Sequence, residues 1–301
     1  MKSLRLIALL TAFLFLVTAC HTRTEIGTPK NPIIFSLVPG QDIKVLSQEG
    51  DQLEKWFLED LGLSVEVKVP TNFIAVVESI GSKRTDIAIM NTFGYILAHE
   101  KYGAKARLIG LNGDLDHYWG QIIARKDKIK KLSDLNGKKF AFVDPASTSG
   151  FILAKKLFKD KNIKLREFVF AGRHDSVATM VYQKQVDAGA TYYSPPEPEG
   201  PQDARKLIKS QYPDVFETLH ILEKTGPIPN DPVVFRADFP EELKEKMANS
   251  MKKFILTEQG KKTLKALYHM SGLRDVEDSH YDSAREILKK LGQSAQEVLK
   301  K

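Results

Sequence analysis

The sequence predicts an α/β protein. Short β-rich runs alternate with amphipathic helical runs from Asn31 to about Asp116, and the alternation restarts near Tyr118. No heptad repeat, low-complexity array or clustered metal-ligand spacing interrupts the pattern. With 301 residues the chain is long enough for one large domain or two modest ones.

The elements follow in order. "NPIIFSLVP" predicts a strand that stops at Pro39. From Leu53 onward, with Trp56, Phe57 and Leu61, the spacing is helical, and Gly62 is the expected C-cap. "SVEVKV" alternates as a strand, "NFIAVVESIGSKR" is helical, "TDIAIMN" is a short buried strand, "TFGYILAHEKYG" opens a helix and "ARLIGLNG" is a strand. This order implies a parallel sheet with helical cover. In the second unit "YWGQIIARKD" and "KKFAFVD" are strands around a short turn. "GFILAKKLFKD" is a helix, "LREFVFAG" a strand, "HDSVATMVYQKQ" a helix and "VDAGATYY" a strand. The first half of "SPPEPEGPQDARKLIKSQYPD" reads as a surface insertion, because turn chemistry dominates it. Two more strands flank the Pro-rich turn in "FETLHILEKTGPIPNDPVVFR", and helical patterns with Gly breaks follow from Pro240.

The N-terminus has its own logic. Lys2 and Arg5 precede an unbroken apolar run that ends in Val17-Thr18-Ala19-Cys20. A charged head, about a dozen apolar residues and a small residue before the cut describe a secretory signal over residues 1–19. Cys20 is the single cysteine, so no internal disulfide forms. Its setting resembles the bacterial lipobox, which implies a lipid on Cys20 and a polar tether over residues 20–31; an uncleaved anchor with an incidental cysteine is the alternative. Either way the body is expected outside the cytoplasm, held to a bacterial membrane. The formal charge is +7, but the cations are interleaved with acids, as in "EELKEKMANSMKKF". They read as solvated helix faces, so no nucleic-acid partner is expected.

The chemistry concentrates at strand-to-helix turns. In "FVDPASTSGF" three small hydroxyl residues, Ser147, Thr148 and Ser149, are closed by Gly150. The first N–H groups of a helix lack intrahelical partners, and the helix dipole favours an anion there. One Ser or Thr is enough to cap a helix, so three in succession point to anion binding beyond capping. Asn91 and Thr92 in "NTFGY", and His174 in "GRHDS", occupy equivalent turns. Asp231, between Asn230 and Pro232, sits in a stiff turn, which is also an ordinary place for Asp.

"FVDPASTSGFILAKKLF", "GRHDSVATMVYQKQVDAGA" and "GPIPNDPVVFR" resemble the signature segments of the PhnD-like periplasmic phosphonate/phosphite/phosphate-binding proteins, the substrate-binding subunits of ABC importers. "TNFIAVVESIGSKRTDIAIMNTFGYILA" and "YWGQIIARKD" extend the resemblance over nearly the whole mature chain. It implies a two-lobed type II periplasmic binding fold with a hinged cleft, lobe 1 over 32–116 and 226–301 and lobe 2 over 117–225. It implies a phosphorus oxyanion ligand, permease and ATPase partners, and no cofactor, metal or catalysis. It places Ser147, Thr148, Ser149, His174, Tyr118 with Trp119 beside it, and Asp231 at the ligand; Gly150, Asn91 and Thr92, from their strand-to-helix turns, and Tyr192, at the end of its strand, are expected there as well.

Two departures narrow the ligand. Thr191-Tyr192-Tyr193-Ser194 offers no carboxylate where family members that take aminoalkylphosphonates hold the ammonium, and "VPGQDIKVL" has no aromatic to close over the ligand. Both favour a small oxyanion or a neutral tail. Two rival readings stay open. One is a sensor that presents the same cleft to a membrane receptor. The other is a serine hydrolase using Ser147 or Ser149, His174 and Asp187 or Asp231, although no G-x-S-x-G elbow is present.

Overall fold

The computed structural model describes residues 25–198 and 200–291. The signal segment and Cys20 lie outside them. Residues 25–31, expected as tether, are held to the domain: Gly27 N–H donates to the Asn31 carbonyl at 2.8 Å, and Ser64 N–H to the Gly27 carbonyl at 2.7 Å.

The chain builds one sheet, leaves it for a second and returns. The first leg supplies β1 (Ile33–Leu37), α1 (Ile43–Leu61), β2 (Val65–Lys68), α2 (Phe73–Gly81), β3 (Ile87–Ile89), α3 (Thr92–Tyr102) and β4 (Lys105–Leu111). The second leg supplies β5 (His117–Arg125), β6 (Lys139–Phe142), α4 (Leu153–Asp160), β7 (Glu167–Phe170), α5 (His174–Tyr182), β8 (Ala188–Tyr193), α6 (Val215–Thr218) and β9 (Leu219–Pro229). The return supplies β10 (Pro232–Phe235), α7 (Glu241–Phe254), α8 (Glu258–Tyr268), β11 (Gly272–Asp275) and α9 (Asp282–Leu291). The sheet orders are β11-β4-β10-β3-β1-β2 and β7-β6-β8-β5-β9.

The α/β class holds, but neither sheet is purely parallel. β1 runs parallel to β2 and β3, whereas β10 is antiparallel to both β3 and β4. In the second sheet β6 is parallel to β7 and β8, while β5 is antiparallel to β8 and β9. The strands that run against their parallel neighbours, β5 in the second sheet and β10 in the first, are the ones that directly follow a crossing between the sheets, whereas β9 runs with β6, β7 and β8. β11 was not expected, because four residues with Arg274 and Asp275 among them carry no apolar alternation; it pairs antiparallel with β4 at the sheet edge.

Local chemistry sets the helix boundaries. α1 starts ten residues before the periodic stretch, where the Asp42 side chain accepts from Lys44 N–H at 2.8 Å. Gly50 interrupts the apolar spacing for a packing reason: a Cβ there would lie 2.7 Å from Val67 Cγ1 on β2. Gly62 ends the helix in the left-handed region with φ 67, as expected. One apolar core joins α1, α7 and α8 to the first sheet through Phe35, Phe57 and Phe254. The other runs from α3 (Phe93, Ile96) to the second sheet (Ile152, Phe140) and takes in Ala284 and Leu288 of α9. The C-terminal helix therefore packs on α3 and α4, one from each leg.

The expected surface insertion is exposed only in its middle. Gln202, Asp203, Ala204 and Arg205 are buried. Arg205 donates from Nε and Nη2 to the two carboxylate oxygens of Asp203, both at 2.8 Å, and from Nη1 to the Leu219 carbonyl at 2.9 Å. Asp203 also accepts from Gln121 of β5 at 3.1 Å, so this segment is bonded into the sheet.

Candidate ligand-binding cavity

Two links cross between the sheets, residues 112–116 and the dipeptide Asn230-Asp231. Asn230 ties them together: its N–H donates to the Asp116 carbonyl at 2.8 Å, and its side-chain amide donates to the carbonyls of Gly110 (2.8 Å) and Leu115 (3.0 Å). Beside them, between the sheets, lies a cavity of about 100 Å³.

The three hydroxyls of the Ser-Thr-Ser turn do three different jobs. Ser147 caps the helix: its Oγ accepts from Gly150 N–H at 3.1 Å. Ile152 N–H reaches back five residues to the Ser147 carbonyl at 3.0 Å, so the first turn is a wide π turn. Thr148 points across the cleft: its Oγ1 accepts from Phe93 N–H at 2.9 Å and Asn91 Nδ2 at 3.1 Å, both on the first-sheet side. Ser149 lines the cavity together with Ser147. Gly150 is turned inward, where a Cβ would sit 2.4 Å from Val143 Cγ2, so its smallness serves the packing of the turn against β6.

Tyr118, at the start of β5, faces the same space. Burial pushes its phenol well above the ordinary value and the Asp231 charge adds to this, while hydrogen bonds with Ser149 and Thr148 pull the other way. Trp119 does not line the cavity; it stacks edge-on with His117 at 4.9 Å between ring centroids. Asp231 lines the cavity as its single carboxylate, and no Lys or Arg lines it among the described residues. Burial alone pushes Asp231 up to about 7. His174 opens α5, and its backbone N–H donates to the Gly40 carbonyl at 3.0 Å. Burial, with His269 nearby, pushes its imidazole down to about 3, so the ring is neutral and works by geometry. Its Nδ1 is buried without a hydrogen-bond partner.

The far wall comes from residues that the sequence did not single out. Phe73 at the start of α2 and Tyr268 at the end of α8 supply the aromatic surface missing from the "VPGQDIKVL" loop, and Gly40 of that loop lines the cavity through its backbone. The Tyr268 hydroxyl donates to the Val38 carbonyl at 3.1 Å. His269 caps α8 in the left-handed region (φ 56), and its Nε2 meets the Tyr192 hydroxyl at 2.8 Å across the cleft. Asp144 closes the rim: it accepts from Ala146 N–H at 2.8 Å in its own turn and from Phe73 N–H at 3.4 Å opposite. With Asn91 Nδ2 donating to the Ala146 carbonyl at 2.8 Å, these contacts describe a shut cleft.

Of the residues expected at a ligand, Asn91, Tyr118, Ser147, Ser149, His174, Tyr192 and Asp231 line the cavity. Thr148, Gly150 and Thr92 do not; Thr92 donates its hydroxyl to the Pro229 carbonyl at 2.5 Å and so fixes α3 to the end of β9. Among the described residues no acid is hydrogen-bonded to His174 Nδ1, and Asp187 is engaged elsewhere, accepting from Lys139 N–H at 2.9 Å. A Ser-His-acid relay is not assembled from these residues.

Two mixed sheets, two crossing links and a cavity between them define a two-lobed fold of the periplasmic-binding-protein type. The fold of the binding component of a phosphonate ABC transporter from Pseudomonas aeruginosa is alike, with TM-score 0.75, 22% identity and 85% of each chain covered. So is that of a Prochlorococcus marinus PhnD protein solved with methylphosphonate, with TM-score 0.74, 18% identity, and 87% of this chain and 98% of that one covered.

The family model for the periplasmic phosphonate substrate-binding proteins of ABC transporters matches residues 35–281, and the chain belongs to that family. The phosphate-import protein PhnD of Mycolicibacterium smegmatis is 30% identical over 188 residues, which is 57% of this chain and 58% of that protein. The phosphonates-binding periplasmic protein of Escherichia coli is 28% identical over 242 residues, 74% of this chain and 68% of that protein. The match thus spans little more than half the length of the first relative and about two thirds of the second.

Proposed function

We propose that the protein is the extracytoplasmic solute-binding component of an ABC importer and that it closes on a phosphorus oxyanion: phosphonate, phosphite or phosphate. The observation that carries this is a cavity lined by neutral donors with one carboxylate, Asp231, facing them. Tyr118, Ser147, Ser149 and the first amides of the turn donate to anionic oxygens. Asp231 accepts from a protonated P–OH or carries that proton itself. The lobes, 32–116 with 226–301 and 117–225, move about the two links, and Thr148, Asp144 and Tyr192 latch them when shut. The closed form is the one a permease with its ATPase would receive. None of these roles requires bond cleavage, so the reading is binding and not catalysis.

No second carboxylate lines the cavity beside Tyr192 and Ser194, so an ammonium on the ligand tail goes unpaired. Methylphosphonate is therefore expected to raise the Tm more than 2-aminoethylphosphonate. Ligand at a hundredfold over Kd adds about 2.7 kcal/mol to the native state. Thermal unfolding with each compound checks this, and a larger shift with the aminoalkyl compound contradicts the tail assignment.

We also propose that the chain is secreted through its apolar leader and anchored by lipid on Cys20. Among the described residues no helix is long and apolar enough to cross a membrane. Cys20→Ala is expected to release a folded domain from membranes, as seen in the supernatant of an alkaline wash. Retention of the variant in the pellet contradicts the anchor.

A further inference from the structure

Each sheet has two edges, and three of the four carry the residues that keep edges apart. β2 presents Glu66 and Lys68, β11 presents Arg274 and Asp275, and β9 presents Glu223 and Lys224 with Pro227 and Pro229. The fourth, β7, is different. Phe168, Val169 and Phe170 are 53%, 42% and 41% exposed, and they account for three of the six large hydrophobic side chains exposed among the described residues. Their backbone is as open as their side chains. Ala171 N–H donates to the Phe142 carbonyl at 2.8 Å, and with the parallel register of β6 and β7 this turns residues 167, 169 and 171 toward β6. Phe168 and Phe170 therefore point their N–H and C=O groups outward.

We infer that β7 is a dimerisation edge that pairs antiparallel with β7 of a second copy about a two-fold axis through Val169. In that register Phe168 faces Phe170 of the second copy and the reverse, and each facing pair exchanges two backbone hydrogen bonds, four in all. The two aromatic pairs extend the ring stack already formed by Phe142, Phe168 and Phe170. The charges fit the same register. Glu167 lies opposite Ala171 and Arg166 opposite Gly172, so no like charges face each other. A contact built on one self-complementary strand closes at two copies and leaves no further β7 edge. The β7 residues do not line the cavity, so the inference stands apart from the ligand assignment.

The test uses the full chain with Cys20→Ala, so that an added cysteine is the single thiol. Facing residues of a non-hydrogen-bonded antiparallel pair bring their Cα atoms to about 4.5 Å, within disulfide range. Val169→Cys is expected to form a disulfide-linked dimer under mild oxidation at least ~10-fold faster than Leu256→Cys, a thiol at a more solvent-open position on another face. In sedimentation equilibrium the joint change Phe168→Lys and Phe170→Lys is expected to raise the dimer Kd at least ~10-fold while ligand affinity stays unchanged. A chain that is monomeric at every concentration, equal cross-linking at positions 169 and 256, or association untouched by the double change overturns the inference.

Discussion

Replacing Asp231 with Asn is expected to abolish a fall in stability between about pH 4 and pH 7. Burial lifts this carboxyl from 3.8 to about 7, and no donor offsets the burial. Its surroundings explain why: Tyr118, Tyr268 and Tyr281 are the groups that feel its charge, and all three are buried phenols held well above their ordinary range. The sign follows from proton counting. Between the unfolded and folded values the native state binds the extra proton, so stability falls as pH rises. The contribution of the neutral acid is complete below pH 4 and is lost as pH passes through about 7. About 3 pKa units correspond to roughly 4 kcal/mol if the cleft stays shut, and to less if opening lets water reach the carboxylate. Urea unfolding of the two proteins across this range measures the difference, which should shrink by about 1.4 kcal/mol per pH unit. A parallel pair of curves contradicts the burial of Asp231. The same proton governs the ligand. Above pH 7 neither Asp231 nor a phosphonate or phosphite dianion supplies it, so affinity for those two is expected to fall about tenfold per unit while hydrogen phosphate keeps its P–OH, and Asp231→Asn should flatten that profile and admit sulfate.

Arg205→Ala is expected to destabilise the protein by about 3–5 kcal/mol, because it leaves a buried carboxylate without its cation. The Asp203 side chain is 1% exposed and that of Arg205 10%. Burial works to raise Asp203, yet Arg205 and Gln121 hold it below its ordinary value, so it is ionised at neutral pH. The loss spreads beyond the pair: Arg205 also donates to the Leu219 carbonyl at the start of β9, and Asp203 holds Gln121 under β5. Both are the crossing strands. Chemical denaturation checks the magnitude, and the double change Asp203→Asn with Arg205→Ala should recover part of the loss. A cost below 1 kcal/mol would mean that water reaches the pair freely.

The division into two α/β units was legible because most helices and strands carry their own periodicity, as α2 and β1 do. The turn at Ser147–Gly150 was legible as a site because its hydroxyls exceed what capping needs. Their separate roles were not, since Thr148 finds its partners 55 and 57 residues away in Phe93 and Asn91. Distance in sequence also hid Phe73, Tyr268 and His269, which reach the cavity from helix ends with no local signal of function. The buried pair Asp203-Arg205 was masked by the prolines and acids before it, which read as solvent-facing turn chemistry. Strand direction was lost for a related reason. Periodicity reports which face is buried, and it carries no mark of whether a neighbouring strand runs up or down.

The central claim is that the cavity takes a phosphorus oxyanion through neutral donors and one carboxyl group, Asp231, that shares a proton with the ligand. Isothermal titration of the wild-type protein at about pH 8, above the Asp231 value of about 7, with phosphate, phosphite and methylphosphonate, each against sulfate, tests it most directly. The expected result is single-site binding of at least one phosphorus oxyanion, with sulfate at least ~10-fold weaker because it brings no proton to Asp231. Equal affinity for sulfate, or no heat with any of the three, would contradict it.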